Sequence, residues 1–410
     1  MTSASAWHST VDLVNVALTL REDLRFTLQQ YGDQPCYVIE DNQNSRFFRV
    51  GLPEYTFISL LDGTTTVREA LAHTSSILGA HAFTEADAAS ICKWLVESQL
   101  AYSTASQAHD RLWEQTEKAS SRKRWQRVNP LVIRLPLLHP DRWIRHVTDW
   151  LGGWFSGLGV LLWLTLGAVA IQQLFAHWSR LPTESMHLLA ADNLVWLFAT
   201  WSLLKIAHEL SHGVACKRFG GEVREAGFML ILFAPVPYVD VTSAWRFTSK
   251  WQRIVVSIAG MYTELFLASL ATLVWIHTDS LRTAQHAYNV MITASLMTVL
   301  FNANPLMRFD GYYILSDFLE IPNLSGLGQQ FLWYLVRRFG MGIKVRPAQL
   351  AGWKRAFVYV YAVAALLWRI LVSASILLAA SVLWEGIGIG LAVGAGIAWT
   401  ASPLRRLCQY

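Results

Sequence analysis

Apolar positions are unevenly spread along this chain. Up to residue 149 no apolar run is long enough to cross a bilayer, whereas 150–403 contains several. The pattern predicts six spans, at about Trp150–Phe175, Asn193–Cys216, Ile254–His277, Asn289–Asn304, Ala356–Trp384 and Gly386–Ala401. A seventh apolar stretch, Gly227–Val241, is too short to cross and contains Pro235 and Pro237. It reads as a re-entrant or membrane-dipping hairpin, tolerated only where protein or a watery cavity satisfies its backbone. The first hundred residues follow another rhythm. Cys36–Glu40 and Arg46–Val50 are strand-like runs around the polar turn Asp41-Asn42-Gln43-Asn44. Pro53 suits a first helical turn and Gly63 an exit, and Thr66–Leu78 and Thr84–Leu100 have helical spacing. Thr84-Glu85-Ala86-Asp87 opens the last of these like a capping box. A hairpin with three helices predicts a winged-helix shape.

The expected fold is therefore a polytopic α-helical membrane protein of about six transmembrane helices, with a small N-terminal α+β winged-helix-like domain in the cytosol. Expected boundaries are 1–104 for that domain, 105–149 for a basic juxtamembrane linker and 150–410 for the transmembrane part. Composition agrees: of 410 residues 53% are hydrophobic and 15% charged, with mean hydropathy +0.30. Soluble domains carry roughly 45–50% apolar and about 25% charged residues. Met1–Gln30 lacks a basic start followed by a compact apolar core, so the soluble part is expected to stay cytosolic. Four scattered cysteines form neither a C-x-x-C pair nor a disulfide framework.

A net charge of +5 would suit nucleic acid, but its placement favours a membrane. Lys217, Arg218, Arg224, Arg246, Lys250, Arg253 and eight further basic residues fall in the proposed inside segments, against Arg180 and Arg282 outside. That asymmetry is the positive-inside pattern, and it puts both termini in the cytosol. The linker adds Arg122, Lys123, Arg124, Arg127, Arg134, Arg142 and Arg145, with Trp125 and Trp143 interleaved. Nucleic acid is conceivable there, but directly before a span such a segment reads as juxtamembrane and interface-lying. No helix of the N-terminal domain is basic, and no nucleic-acid partner is expected.

The second expected span contains His208-Glu209-Leu210-Ser211-His212. Residues four apart share a helix face, so both imidazoles can reach one zinc ion, with Glu209 beside them as general base. Ionisable groups in an apolar span are costly, and function is their default explanation. A pair of satisfied packing histidines is the bland alternative. Zinc needs a third protein ligand. The fourth expected span runs into Asn304-Pro305-Leu306-Met307-Arg308-Phe309-Asp310-Gly311. Pro305 breaks the helix and Gly311 permits a close approach, so irregular backbone presents Asp310. Asp310 as the cap of a following helix is the alternative. His208 lies 15 residues from Asn193, and Asn304 lies 15 from Asn289. Each separation is ~22 Å along a helix, so both motifs reach a similar depth.

With both motifs in place, about 190–320 resembles the catalytic core of site-2 proteases, the intramembrane zinc metalloproteases. One departure is that Pro305 directly follows Asn304. The resemblance implies that His208, His212 and Asp310 bind Zn2+, that Glu209 acts as base and then acid, and that Asn304 holds an unwound substrate strand. Glu264 ends Gly260-Met261-Tyr262-Thr263-Glu264, where many such proteases carry a G-P-x-x-N-like element, so family roles do not transfer to it. Three readings stand open: Glu264 pairs with Arg369, Glu264 touches substrate, or Arg369 snorkels.

The N-terminal stretch resembles PqqD-like domains, which recognise leader peptides of ribosomally made peptides; a contact or dimerisation module is its plainer reading. Together these resemblances imply a multi-pass protein of a bacterial inner membrane that hydrolyses a membrane-associated or exported peptide or protein, with a membrane-fusion adaptor or export system as a further partner. The alternative is a catalytically silent zinc-binding or substrate-docking component of a peptide export complex. A proton-relay transporter would need paired broken helices, and none is evident.

Overall fold

A computed structural model describes residues 16–31, 34–41, 46–79, 83–103, 132–181, 188, 190–231, 234–343 and 352–383. The expected sixth span, Gly386–Ala401, and the linker up to residue 131 lie outside these residues. The chain divides into two compact units, 1–298 and 299–410.

The first unit opens with β1 (Ala17–Leu20), β2 (Leu24–Tyr31), β3 (Gln34–Asp41), β4 (Arg46–Gly51), α1 (Leu52–Ile58), β5 (Asp62–Thr66), α2 (Val67–Leu78), α3 (Glu85–Glu97) and β6 (Ala101–Ser103). The expected hairpin is β3 with β4, paired from Cys36 opposite Gly51 to Asp41 opposite Arg46. It is the second half of a meander, because β2 pairs with β3 along its whole length. A second sheet runs in the order β5-β1-β6. The expected helices are present, and Thr84 and Asp87 form a reciprocal capping box, as do Thr66 and Glu69 ahead of α2. Each box satisfies two backbone amides that a helix start leaves open. Leu18, Ile39, Phe57, Ile58, Leu95 and Leu100 fill the core between sheets and helices.

The unit continues with β7 (Val132–Leu138), α4 (Asp141–Leu151), a 3₁₀ turn at Gly152–Phe155, α5 (Gly157–Ala176), α6 (Leu194–Arg218), β8 (Ala226–Ile231), β9 (Ala234–Val239), a 3₁₀ turn at Thr242–Arg246, α7 (Lys250–His277) and α8 (Leu281–Met297), which runs on as a π-helical turn, Thr298–Asn302. Gly227–Val241 does form a hairpin, but the linker adds β7 to it and makes an antiparallel sheet in the order β7-β8-β9. The linker is thus more than a polar tether. The N-terminal part is seated on the turn after β9. Gln29 Nε2 donates to the Trp245 carbonyl at 2.7 Å, and buried Glu40 takes Arg224 and Arg246, each at 3.4 Å.

Among the described residues three helices are long and apolar enough to cross a membrane: α5, α7 and, in the second unit, α11 (Gly352–Leu383) over Gly352–Ser375. The six expected spans are not all shown among the described residues. The second expected span coincides with α6, 25 residues long, whose Lys205, His208, Glu209, His212, Lys217 and Arg218 lower its hydropathy. The fourth, expected at Asn289–Asn304, overlaps only the second half of α8, which starts at Leu281 and has 17 residues before the π turn. A mutual amide pair ties these two helices. Asn193 Nδ2 donates to Asn289 Oδ1 at 3.0 Å and Asn289 Nδ2 to Asn193 Oδ1 at 2.8 Å.

The second unit contains α9 (Asp310–Phe318), α10 (Leu324–Leu335) and α11. Its core is Tyr312, Ile321, Leu324, Val358, Tyr361 and Ala365.

Candidate metal centre

His208 and His212 stand one turn apart on α6 and are 3% and 6% exposed. Their Nε2 atoms face each other at 3.0 Å. Each ring is held from behind. His212 Nδ1 lies 2.7 Å from the Val256 carbonyl, which can only accept, so Nδ1 carries the proton and Nε2 the lone pair. His208 Nδ1 lies 3.2 Å from Glu264 Oε1, which leaves the His208 Nε2 lone pair turned the same way. Two lone pairs at this distance repel unless a cation or proton sits between them. Two imidazoles on a tetrahedral zinc at ~2.0–2.1 Å would hold their nitrogens ~3.4 Å apart, close to what is seen. The donor chemistry fits the metal.

Gly260 on α7 makes room for this arrangement. A Cβ there would fall 2.4 Å from the His208 ring, so only glycine lets α7 approach α6 so closely. Further along α7, Glu264 is 1% exposed and binds three neighbours. Lys205 Nζ donates to Oε1 at 2.8 Å, His208 meets the same oxygen, and Thr298 Oγ1 donates to Oε2. Lys205, one turn before His208, and Thr298, at the start of the π turn, were not singled out from the sequence. Lys205 was findable, being a cation at helical spacing from the H-E-x-x-H run. Glu209 is half-buried, and its Oε2 accepts the Val239 amide at 3.1 Å, which ties it to the end of β9.

In the second unit Asn304 is buried and its Oδ1 accepts the Leu306 amide at 2.9 Å, fastening the turn around Pro305. Tyr361 donates its hydroxyl proton to the Pro305 carbonyl at 3.2 Å. Gly311 presses on the backbone, where a Cβ would fall 2.3 Å from the Ala303 carbonyl oxygen. Asp310 is half-buried and occupies the first turn of α9, while the cap position belongs to Phe309, which makes no side-chain cap bond. Asn302, two residues ahead of Asn304, is buried as well and escaped the sequence reading.

No family model matches the chain, and no solved structure matches it. It is 28% identical over 142 residues to a Bacillus subtilis (strain 168) protein named "Putative peptide zinc metalloprotease protein YydH", a match covering 34% of this chain and 54% of that relative. The chain thus spans about half the length of the curated relative it matches.

Proposed function

We propose that this chain is a membrane-embedded zinc peptidase whose ion is held by His208, His212 and Asp310. The observation that carries the reading is the pair of Nε2 atoms 3.0 Å apart, each ring fixed from behind. Two imidazoles and a carboxylate make a donor set that could hold a metal ion, with a fourth position left to water. Asp310 enters as third ligand because the two motifs are equally spaced along the chain from the bonded Asn193–Asn289 pair. The name of the Bacillus relative supports both the metal and a peptide as substrate.

A zinc ion bound there would polarise the scissile carbonyl and make a water acidic enough to attack near neutral pH. Glu209, steadied by the Val239 amide, would serve as the base that takes a proton from the attacking water and gives it to the leaving nitrogen. Glu264 orients His208 and, in this reading, does not touch substrate. The N-terminal domain presents the peptide. Metal analysis of the purified protein beside Asp310→Ala tests the ligand set: a large loss of zinc is expected, and full zinc in the variant would remove Asp310. Glu209→Gln should keep zinc and lose peptide cleavage by about 100-fold or more. Undiminished function in that variant would favour a silent docking component.

A further inference from the structure

We propose that the cleft between α4 and the last turn of α6 binds the phosphate headgroup of an anionic phospholipid. The cleft has a volume of about 440 Å³ and is lined by Arg145, Thr148, Asp149, Gly152, Lys217 and Arg218. That size falls within the ~300–1,000 Å³ of ordinary ligand clefts. Three cations face one carboxylate in the lining. A second carboxylate, Asp141, stands beside it and takes Lys217, with Nζ 2.5 and 2.7 Å from its two oxygens. Arg145 is 3.8 Å from Asp141 and 64% exposed, so its guanidinium is screened rather than committed. Arg218 donates from one Nη to the Gly152 carbonyl, which holds its fork against the cleft floor. Arginine forks suit phosphate oxygens in a way that point charges do not.

Depth argues for a lipid as the source of that phosphate. Gly152 lies five residues before Gly157, where α5 begins, and α5 is apolar enough to cross a membrane. The cleft therefore sits where hydrocarbon gives way to headgroups. Beside it Trp150 is 88% exposed and Trp143 and Leu151 are exposed too, the composition of an interfacial anchor. Basic pockets at the cytosolic ends of spans take anionic headgroups, and each Lys or Arg near such a surface is worth about 1 kcal/mol, or about fivefold in binding.

The test is native mass spectrometry of the full chain in detergent with phosphatidylglycerol, phosphatidylcholine or inorganic phosphate alone. Phosphatidylglycerol is expected to be retained over phosphatidylcholine, about fivefold less in Arg145→Gln and about 25-fold less with Arg218→Gln added. Equal retention of the two lipids, or wild-type retention by Arg145→Gln, would overturn the proposal. Inorganic phosphate binding without a preference for phosphatidylglycerol would make this a soluble-anion site and overturn the lipid assignment. Arg145 is a surface side chain, so its variant reads out even if the double variant folds poorly. Zinc content should not change in either, which separates this site from the metal centre.

Discussion

Glu264 sits at the meeting point of Lys205, His208 and Thr298, and its value lies in all three contacts. A metal-binding imidazole is normally held by a carboxylate or carbonyl on its other nitrogen, and loss of that partner lowers metal affinity about 10–100-fold. Glu264→Ala, which removes the acceptor, should therefore weaken zinc binding by that range in a chelator competition, while Lys205→Met should weaken it less, since His208 keeps its acceptor. An unchanged affinity in Glu264→Ala would mean that the carboxylate serves only packing. His208, Glu209 and His212 were legible because a helix brings residues four apart to one face, a rule that needs no tertiary structure. Lys205, Thr298 and Val239 were not, because each meets its partner across 30 to 59 residues of chain. Glu264 was noticed for its cost in an apolar span, yet its partners come from how α6 and α8 pack on α7.

Helices α6 and α8 are held by two hydrogen bonds between the side-chain amides of buried asparagines, which neither helix advertises alone. Asn289 is fully buried, so Asn289→Ala takes from Asn193 Oδ1 the donor that it accepts from, while Asn193 Nδ2 keeps the Leu188 carbonyl. The cost should be about 1–3 kcal/mol, read as a lower thermal midpoint. Helix α4 is anchored by Asp141. Burial pushes its carboxyl up, but the Lys217 ammonium and the Val223 amide outweigh that and hold it below the usual carboxylate range. Its stabilisation is therefore complete above the unfolded carboxylate pKa of ~3.9 and fades as pH falls through the lower folded value. Asp141→Asn should lower the melting midpoint near neutral pH and flatten its decline below about pH 4, compared across a pH series. Strand β7 escaped the sequence because Pro136 and the basic flank read as linker, whereas pairing with β8 decides its state.

At the scale of the molecule, apolar runs pointed to helices, and three of these are long and apolar enough to span among the described residues. The charges that make α6 a candidate metal-binding helix are the same ones that lower its hydropathy, so length and hydropathy cannot mark it. The N-terminal part is fastened to the remainder of its unit by Glu40 and Gln29, and Arg49 lies over the Trp245 ring at 5.6 Å. Glu40→Ala should loosen that seat and raise amide exchange across Thr242–Arg246 in the full chain; unaltered exchange there would show that the ion pairs are incidental.

A short stretch of backbone links that seat to the proposed chemistry. Val239 grips the Glu209 carboxylate, and seven positions later Arg246 reaches Glu40. Grafting a foreign N-terminal module onto this chain would thus unmoor the tether beside Glu209, the proposed base, as well as replace the module itself. If the proposed peptidase reading holds, hybrids that keep Gln29, Glu40 and Arg49 should retain cleavage, and those that discard them should lose it.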